Sequence, residues 1–225
     1  MLDSALVNPF LNGVWVTLQV TAYSALLGTS LAVLSGLAAL SPVGPVRWAN
    51  RAYVEVFRGT SAIVQLYWIF FALPLFGPSL SPMAAGVITL GLNMGAYGSE
   101  VVRGAVQAVP RGQTEASIAL NLTPFDRMRY VIFPQAVVAM LPPYGNLLIE
   151  LLKASALVSL ITLSDIIFEA QKLRNSGAAS TAVLFSIALF LYFGLAQVIA
   201  AAIRVAEQLL ARGLEVGRGA SRRST

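Results

Sequence analysis

The sequence predicts an all-α membrane protein of five transmembrane helices, with the N-terminus outside, the C-terminus in the cytoplasm and a structured cytoplasmic loop between spans 3 and 4. Three observations carry that prediction. Of the 225 residues, 57% are hydrophobic and only 11% charged, with a mean hydropathy of +0.75, which is far more apolar than an average soluble domain. Uncharged stretches at 4–46, 59–99, 130–149 and 175–203 each approach or exceed the roughly 20 apolar residues that cross a bilayer as helix. The basic residues gather in alternate connections.

Taken in order, the first stretch holds one span at about 12–40, after a short interfacial segment, because no Pro-Gly turn interrupts it. The second is too long for one helix and is broken by GPSLSP at 77–82, where two prolines and a glycine favour a turn. It therefore supplies spans at about 54–76 and 83–108, and the remaining stretches supply about 130–152 and 178–203. Arg47, Arg51 and Arg58 follow span 1, Arg103, Arg111, Arg127 and Arg129 flank the connection after span 3, and Arg204, Arg212, Arg218, Arg222 and Arg223 follow span 5. Twelve of the fifteen basic residues are thus on one side, against Lys153, Lys172 and Arg174 on the other, and the positive-inside rule makes the first side cytoplasmic. Residues 1–210 form the transmembrane domain. The basic, Gly-rich tail at 211–225 is expected to be disordered against anionic headgroups.

The opening MLDSALVNPF has no basic n-region, so a cleaved signal peptide is not expected. Small residues Gly28, Ser30, Ser35, Gly36 and Ala38 in span 1, and Gly194, Ala196, Ala200 and Ala201 in span 5, permit close helix packing in lipid.

The chain has no His and no Cys, which removes the usual metal ligands and the usual nucleophile–base pairs. Its two lysines, in LLKAS and AQKLR, make no phosphate-binding loop. An enzyme is therefore not expected, nor is a cofactor within the chain. The net charge of +5 is scattered between apolar spans, so no nucleic-acid partner is expected either.

The most informative segment is VPRGQTEASIALNLTPFDRMRYVIFPQA at 109–136. Pro110 ends span 3, and residues 113–120 make a short amphipathic helix. A second helix opens with Thr123 as N-cap, Pro124 at the first helical position and Asp126 three residues after the cap. Two helices meeting at a tight corner make a rigid cytoplasmic knob.

This segment resembles the EAA loop of ABC-importer permeases: E-A-A, three residues, G, nine residues, I-x-L-P. Glu115, Ala116 and Ser117 stand at E-A-A, Asn121 at the glycine, and Val131, Phe133 and Pro134 at I, L and P. Asn is the next-best residue to Gly in a left-handed turn, so the corner survives the substitution. The resemblance implies that 110–129 is a coupling loop docking in a cleft of a separate ATPase subunit, through Arg111, Gly112, Glu115, Ala116, Ser117 and Asn121, with Glu115 as the charged handle. It also implies two such ATPase subunits, which carry the ATP and Mg, a second permease subunit, identical or homologous, and an extracytoplasmic substrate-binding protein, all at a bacterial inner membrane.

Three more stretches, VEVFRGTSAIVQLYWIFFALP, GAYGSEVVRGAVQAVPRGQ and PPYGNLLIELLKASALVSLI, resemble the polar amino-acid branch of these importers. Within it the similarity is greatest to ectoine and hydroxyectoine permease subunits, which implies a small zwitterionic substrate. Charges at membrane depth are expensive. Glu150 and Lys153, three apart on one helix face, either neutralise each other or, with Asn146 and Ser155, line the substrate path. Glu100 is expected to pair with Arg103. Arg58 is a membrane anchor or an ATPase contact. Residues 157–165 are too short to span and form a bent or partly re-entrant outer piece. The rival reading is a passive channel or membrane scaffold, in which the third loop is only structural.

Overall fold

The computed structural model describes residues 4–221, with side chains from 6 to 209, and the described residues hold helices and no strands. Three helical rods are long and apolar enough to cross a membrane: 6–38, 124–161 and 181–209. A fourth candidate is a bent pair, Gly44–Gly59 with Ala62–Phe76, turning through 103°.

Helix α1 (Ser4–Ala38) is continuous and carries Pro9 within its first turns, so the interfacial segment expected before the first span is part of the same helix. Helix α2 (Gly44–Gly59) opens with proline in its first turn, where the missing N–H costs nothing. Residues 54–59, expected to begin the second span, belong to α2. The chain then breaks at Thr60 and Ser61, both extended. It resumes as α3 (Ala62–Tyr67), a π-helical turn (Trp68–Ala72) and a 3-10 turn (Leu73–Phe76). These fifteen residues cover roughly 22 Å, short of a ~30 Å hydrocarbon core.

Helix α4 (Pro82–Ala108) is the centre of the molecule, with twelve buried residues. Ser81 caps it, its Oγ accepting from Ala84 N–H. Its hydropathy falls short of the other rods because glycines and Asn93 replace large apolar side chains. The reason is packing: a helix surrounded by protein needs close approach more than it needs lipid-facing bulk. Along α1 and α4, a Cβ at Gly98 would lie 2.7 Å from Ala32 Cβ, and one at Gly36 would lie 2.6 Å from Val102 Cβ. Gly194, by contrast, faces open space, so the expected tight packing at that position of the last span is absent within this chain.

After α4 come α5 (Arg111–Ala119) and α6 (Pro124–Asp126). A π-helical turn (Arg127–Ile132) leads into α7 (Phe133–Ala154), which runs on as a 3-10 turn (Ser155–Ile161). The rod corresponding to the span expected at about 130–152 therefore starts at Pro124, inside the loop. Its 3-10 end continues the same rod, with Val158 and Ile161 fully buried in the main apolar cluster with Val20, Leu66 and Leu90.

Helix α8 (Ile166–Asn175) is capped by Asp165, whose Oδ1 accepts from Phe168 N–H at 2.8 Å. Asp165 Oδ2 accepts from the Tyr192 hydroxyl at 3.2 Å, tying α8 to the last helix, α9 (Thr181–Ser221). Burial of this carboxyl pushes its pKa up to about 6, against the opposing pull of its hydrogen bonds. The backbone of the tail expected to be irregular is helical as far as Ser221, and residues 222–225 lie outside the described residues.

Gly98→Ala should force α1 and α4 apart and cost about 1–3 kcal/mol. Gly104→Ala, on the same helix with nothing within 4 Å, should be neutral or slightly stabilising. Thermal unfolding of the two variants in detergent checks the difference, and equal midpoints would contradict the packing account.

Candidate functional site

The knob is built by local chemistry. Pro110 precedes α5, and α5 ends in a Schellman arrangement: Asn121 N–H donates to Ile118 O at 2.8 Å and Leu122 N–H to Ser117 O at 3.0 Å. Asn121 sits at φ 57°, the left-handed conformation this cap demands and that only Gly, Asn or Asp adopt routinely. Thr123 then starts the next helix, its Oγ1 accepting from Asp126 N–H at 3.2 Å and bonding Asp126 Oδ2 at 2.6 Å. Ser117 is 2% exposed, and its hydroxyl donates to Thr114 O at 2.7 Å.

The outer surface of the knob holds Arg111, Gly112, Glu115 and Ala116, all exposed. Glu115 makes no ion pair among the described residues. Beside it Ile118, Leu120, Phe125 and Tyr130 are apolar and exposed. At its base, Phe133 and Val109 pack against the cluster of Ala32, Val102, Ala105, Ala136 and Met140. The knob is thus rooted in α1, α4 and α7, and Gln135 Nε2 donates across to Gln113 Oε1 at 3.4 Å.

Asn146, Glu150 and Lys153 share one exposed face of α7, and no Glu150–Lys153 ion pair forms among the described residues. Ser155 is off that face: it is fully buried and its hydroxyl donates to Leu152 O at 2.7 Å. Glu150 lines a cavity of about 240 Å³ between α4 and α7, together with Asn93 and Tyr97. Asn93 is an addition the sequence did not single out. Its Nδ2 donates to Phe57 O at 3.1 Å and to Gln65 Oε1 at 3.2 Å, while Gln65 Nε2 donates to Phe57 O and to Thr60. This network closes the α2–α3 bend beside the cavity. Glu100 pairs with Arg103 at 2.6 Å, and Arg58 lies over the Tyr97 ring at 5.3 Å with Glu100 at 4.0 Å.

Residues 28–206 match the family of binding-protein-dependent transport system inner membrane components. The chain belongs to that family. It is 44% identical to a probable amino-acid ABC transporter permease protein of Sinorhizobium fredii, over 91% of this chain and 88% of that protein. It is also 36% identical to the L-cystine transport system permease protein TcyB of Bacillus subtilis, over 80% and 77%. Among solved structures, one described as an amino acid ABC transporter with histidines superposes with a TM-score of 0.83 at 33% identity, covering 90% of this chain and 94% of that one. The inward-facing MetNI methionine ABC transporter shares the fold, with a TM-score of 0.78 at 23% identity and coverage of 92% and 99%. The protein is therefore the permease component of an amino-acid ABC importer, a multi-pass protein of the bacterial inner membrane. Membership implies an ATPase and a substrate-binding protein as partners.

Asn121→Val places a β-branched residue in the left-handed region and should destabilise the corner by about 1–2 kcal/mol, whereas Asn121→Gly should be tolerated. Substrate-stimulated ATPase activity of the assembled importer should fall for the valine variant and persist for the glycine variant. Equal activity in both would separate the corner from coupling.

Proposed function

We propose that this permease moves a small zwitterionic solute, ectoine or hydroxyectoine or else a polar amino acid, by alternating access driven by a separate ATPase that holds the ATP and Mg. The observation that carries the reading is the knob. An exposed, conformationally fixed corner with one free carboxylate and four exposed apolar side chains is a surface built to be covered. Docked in one of two ATPase subunits through the exposed Arg111, Gly112, Glu115, Ala116 and Asn121, with the expected contact Ser117 instead buried beneath them, it would pass the closure of the ATPase pair into α4 and α7, which flank the Glu150 cavity.

The substrate class follows from charge. Glu150 supplies one acceptor and Lys153 one donor on the same face, with Asn146 beside them, which suits a solute bearing one charge of each sign. Ser155 lies too deep to touch that solute without rearrangement. Asn146, Glu150 and Lys153 are exposed, and only Glu150 of the three lines the cavity against α4, so the path needs a second wall, provided by an identical or homologous permease subunit. Five spans with the N-terminus outside remain the topology that the distribution of arginines supports.

The test is uptake of labelled ectoine by a transport-deficient strain expressing the permease with its partners. ATP-dependent uptake blocked by hydroxyectoine, abolished by Glu115→Lys, and showing a roughly tenfold to hundredfold higher KM in Glu150→Gln is the expected result. Uptake of a polar amino acid but not ectoine would discard the ectoine assignment. Entry that persists with a catalytically dead ATPase would favour a passive channel and contradict the proposal.

A further inference from the structure

Helix α2 has two grooves on its flanks, and the transport reading uses neither. One, of about 570 Å³, sets four guanidinium groups (Arg47, Arg51 and Arg58 of α2 and Arg103 of α4) against two carboxylates, Glu55 and Glu100. Both carboxylates are already engaged: Arg51 Nε donates to Glu55 at 2.6 Å and Arg103 Nη2 to Glu100 at 2.6 Å. Arg47 uses only Nη1, on the carbonyls of Ser41 and Pro42. Each guanidinium carries five N–H donors, so the groove keeps an excess of positive charge and several undirected donors. Trp48 lines the same groove and is 75% exposed.

The second groove, of about 480 Å³, runs between α1 and α2 and is walled by Leu31, Leu34, Val46 and Tyr53. Asn50 lines both grooves. A cationic cradle and an apolar slot thus meet along one helix, beside an exposed tryptophan of the kind that sits at membrane interfaces.

We propose that α2 is a binding site for an anionic glycerophospholipid, with the phosphate among the arginines and an acyl chain in the α1–α2 slot. A phosphodiester matches the planar, forked donors of arginine and takes up the excess charge. A free phosphate would satisfy the first groove and leave the apolar slot unexplained, so the source of the anion is the membrane. The bound lipid would brace the α2–α3 bend, because Arg58 stands next to Phe57, whose carbonyl anchors the Gln65–Asn93 network.

The probe is native mass spectrometry of the assembled importer in detergent, titrated with phosphatidylglycerol or phosphatidylcholine, with inorganic phosphate as competitor. Phosphatidylglycerol should be retained about tenfold more tightly than phosphatidylcholine. Arg51→Glu, at a side chain 78% exposed, and the double variant Arg47→Gln/Arg51→Gln should erase that preference while size-exclusion elution stays unchanged. Leu34→Trp, which fills the slot, should weaken both lipids. Equal retention of the two lipids, or a preference unaltered in both arginine variants, overturns the site. Displacement of phosphatidylglycerol by equimolar inorganic phosphate would assign the cradle to a free anion and overturn the lipid assignment. The readout is binding, so it stands apart from any failure of the transport reading.

Discussion

The close approach of α1 and α4 is the constraint on which the rest of the molecule depends. At Gly36 and Gly98 the helices come so near that a single added methyl group would collide with Val102 or Ala32. Among the described residues no other pair of helices shares so extensive a contact. In lipid the hydrophobic effect does not drive helices together, so this contact rests on dispersion and on small residues that let backbones meet. Its consequence is mechanical. Helix α4 leads through Val109 and Pro110 directly into α5, and Val109 and Phe133 pack on the same cluster as Ala32. A displacement of the knob would be carried by α1 and α4 as one stiff unit, since packed interiors switch between arrangements rather than yield gradually.

The corner itself was legible in the sequence because its causes are local. A residue at φ 57° and a Thr-Pro-x-Asp start are written in consecutive residues, and the observed hydrogen bonds follow them bond for bond. Legibility ended where long-range contacts decide. The bend at Thr60 and Ser61 depends on Gln65 and Asn93 reaching the Phe57 carbonyl, and Asn93 is 36 residues away from it. Composition does not show such a staple, so the span expected at about 54–76 crosses the break, whereas residues 54–59 belong to α2. Hydropathy likewise finds helices that face lipid. It recognises the glycine-rich α4 less well, because that helix buries itself against protein.

The polar residues divide in the same way. The Glu100–Arg103 pair follows from spacing of three along a helix, and so does the shared face of Asn146, Glu150 and Lys153. Ser155 lies five residues past Glu150 and two past Lys153, roughly opposite them round an α-helix, and it is fully buried. Asp165, buried between α8 and α9 and held by Tyr192, gave no sequence signal at all. Its partner lies 27 residues further on in another helix.

The α5–α6 corner is the proposed place where the ATPase acts on the membrane helices. Because the chain contains no cysteine, Glu115→Cys introduces a single thiol on the exposed face of α5. Photo-activatable maleimide attached there, in the assembled importer, reports what covers that face. The expected result is cross-linking to the ATPase subunit that changes in yield when ATP is added. A thiol that labels freely from solvent and cross-links to nothing, in a complex competent for ATP-driven uptake, would contradict it.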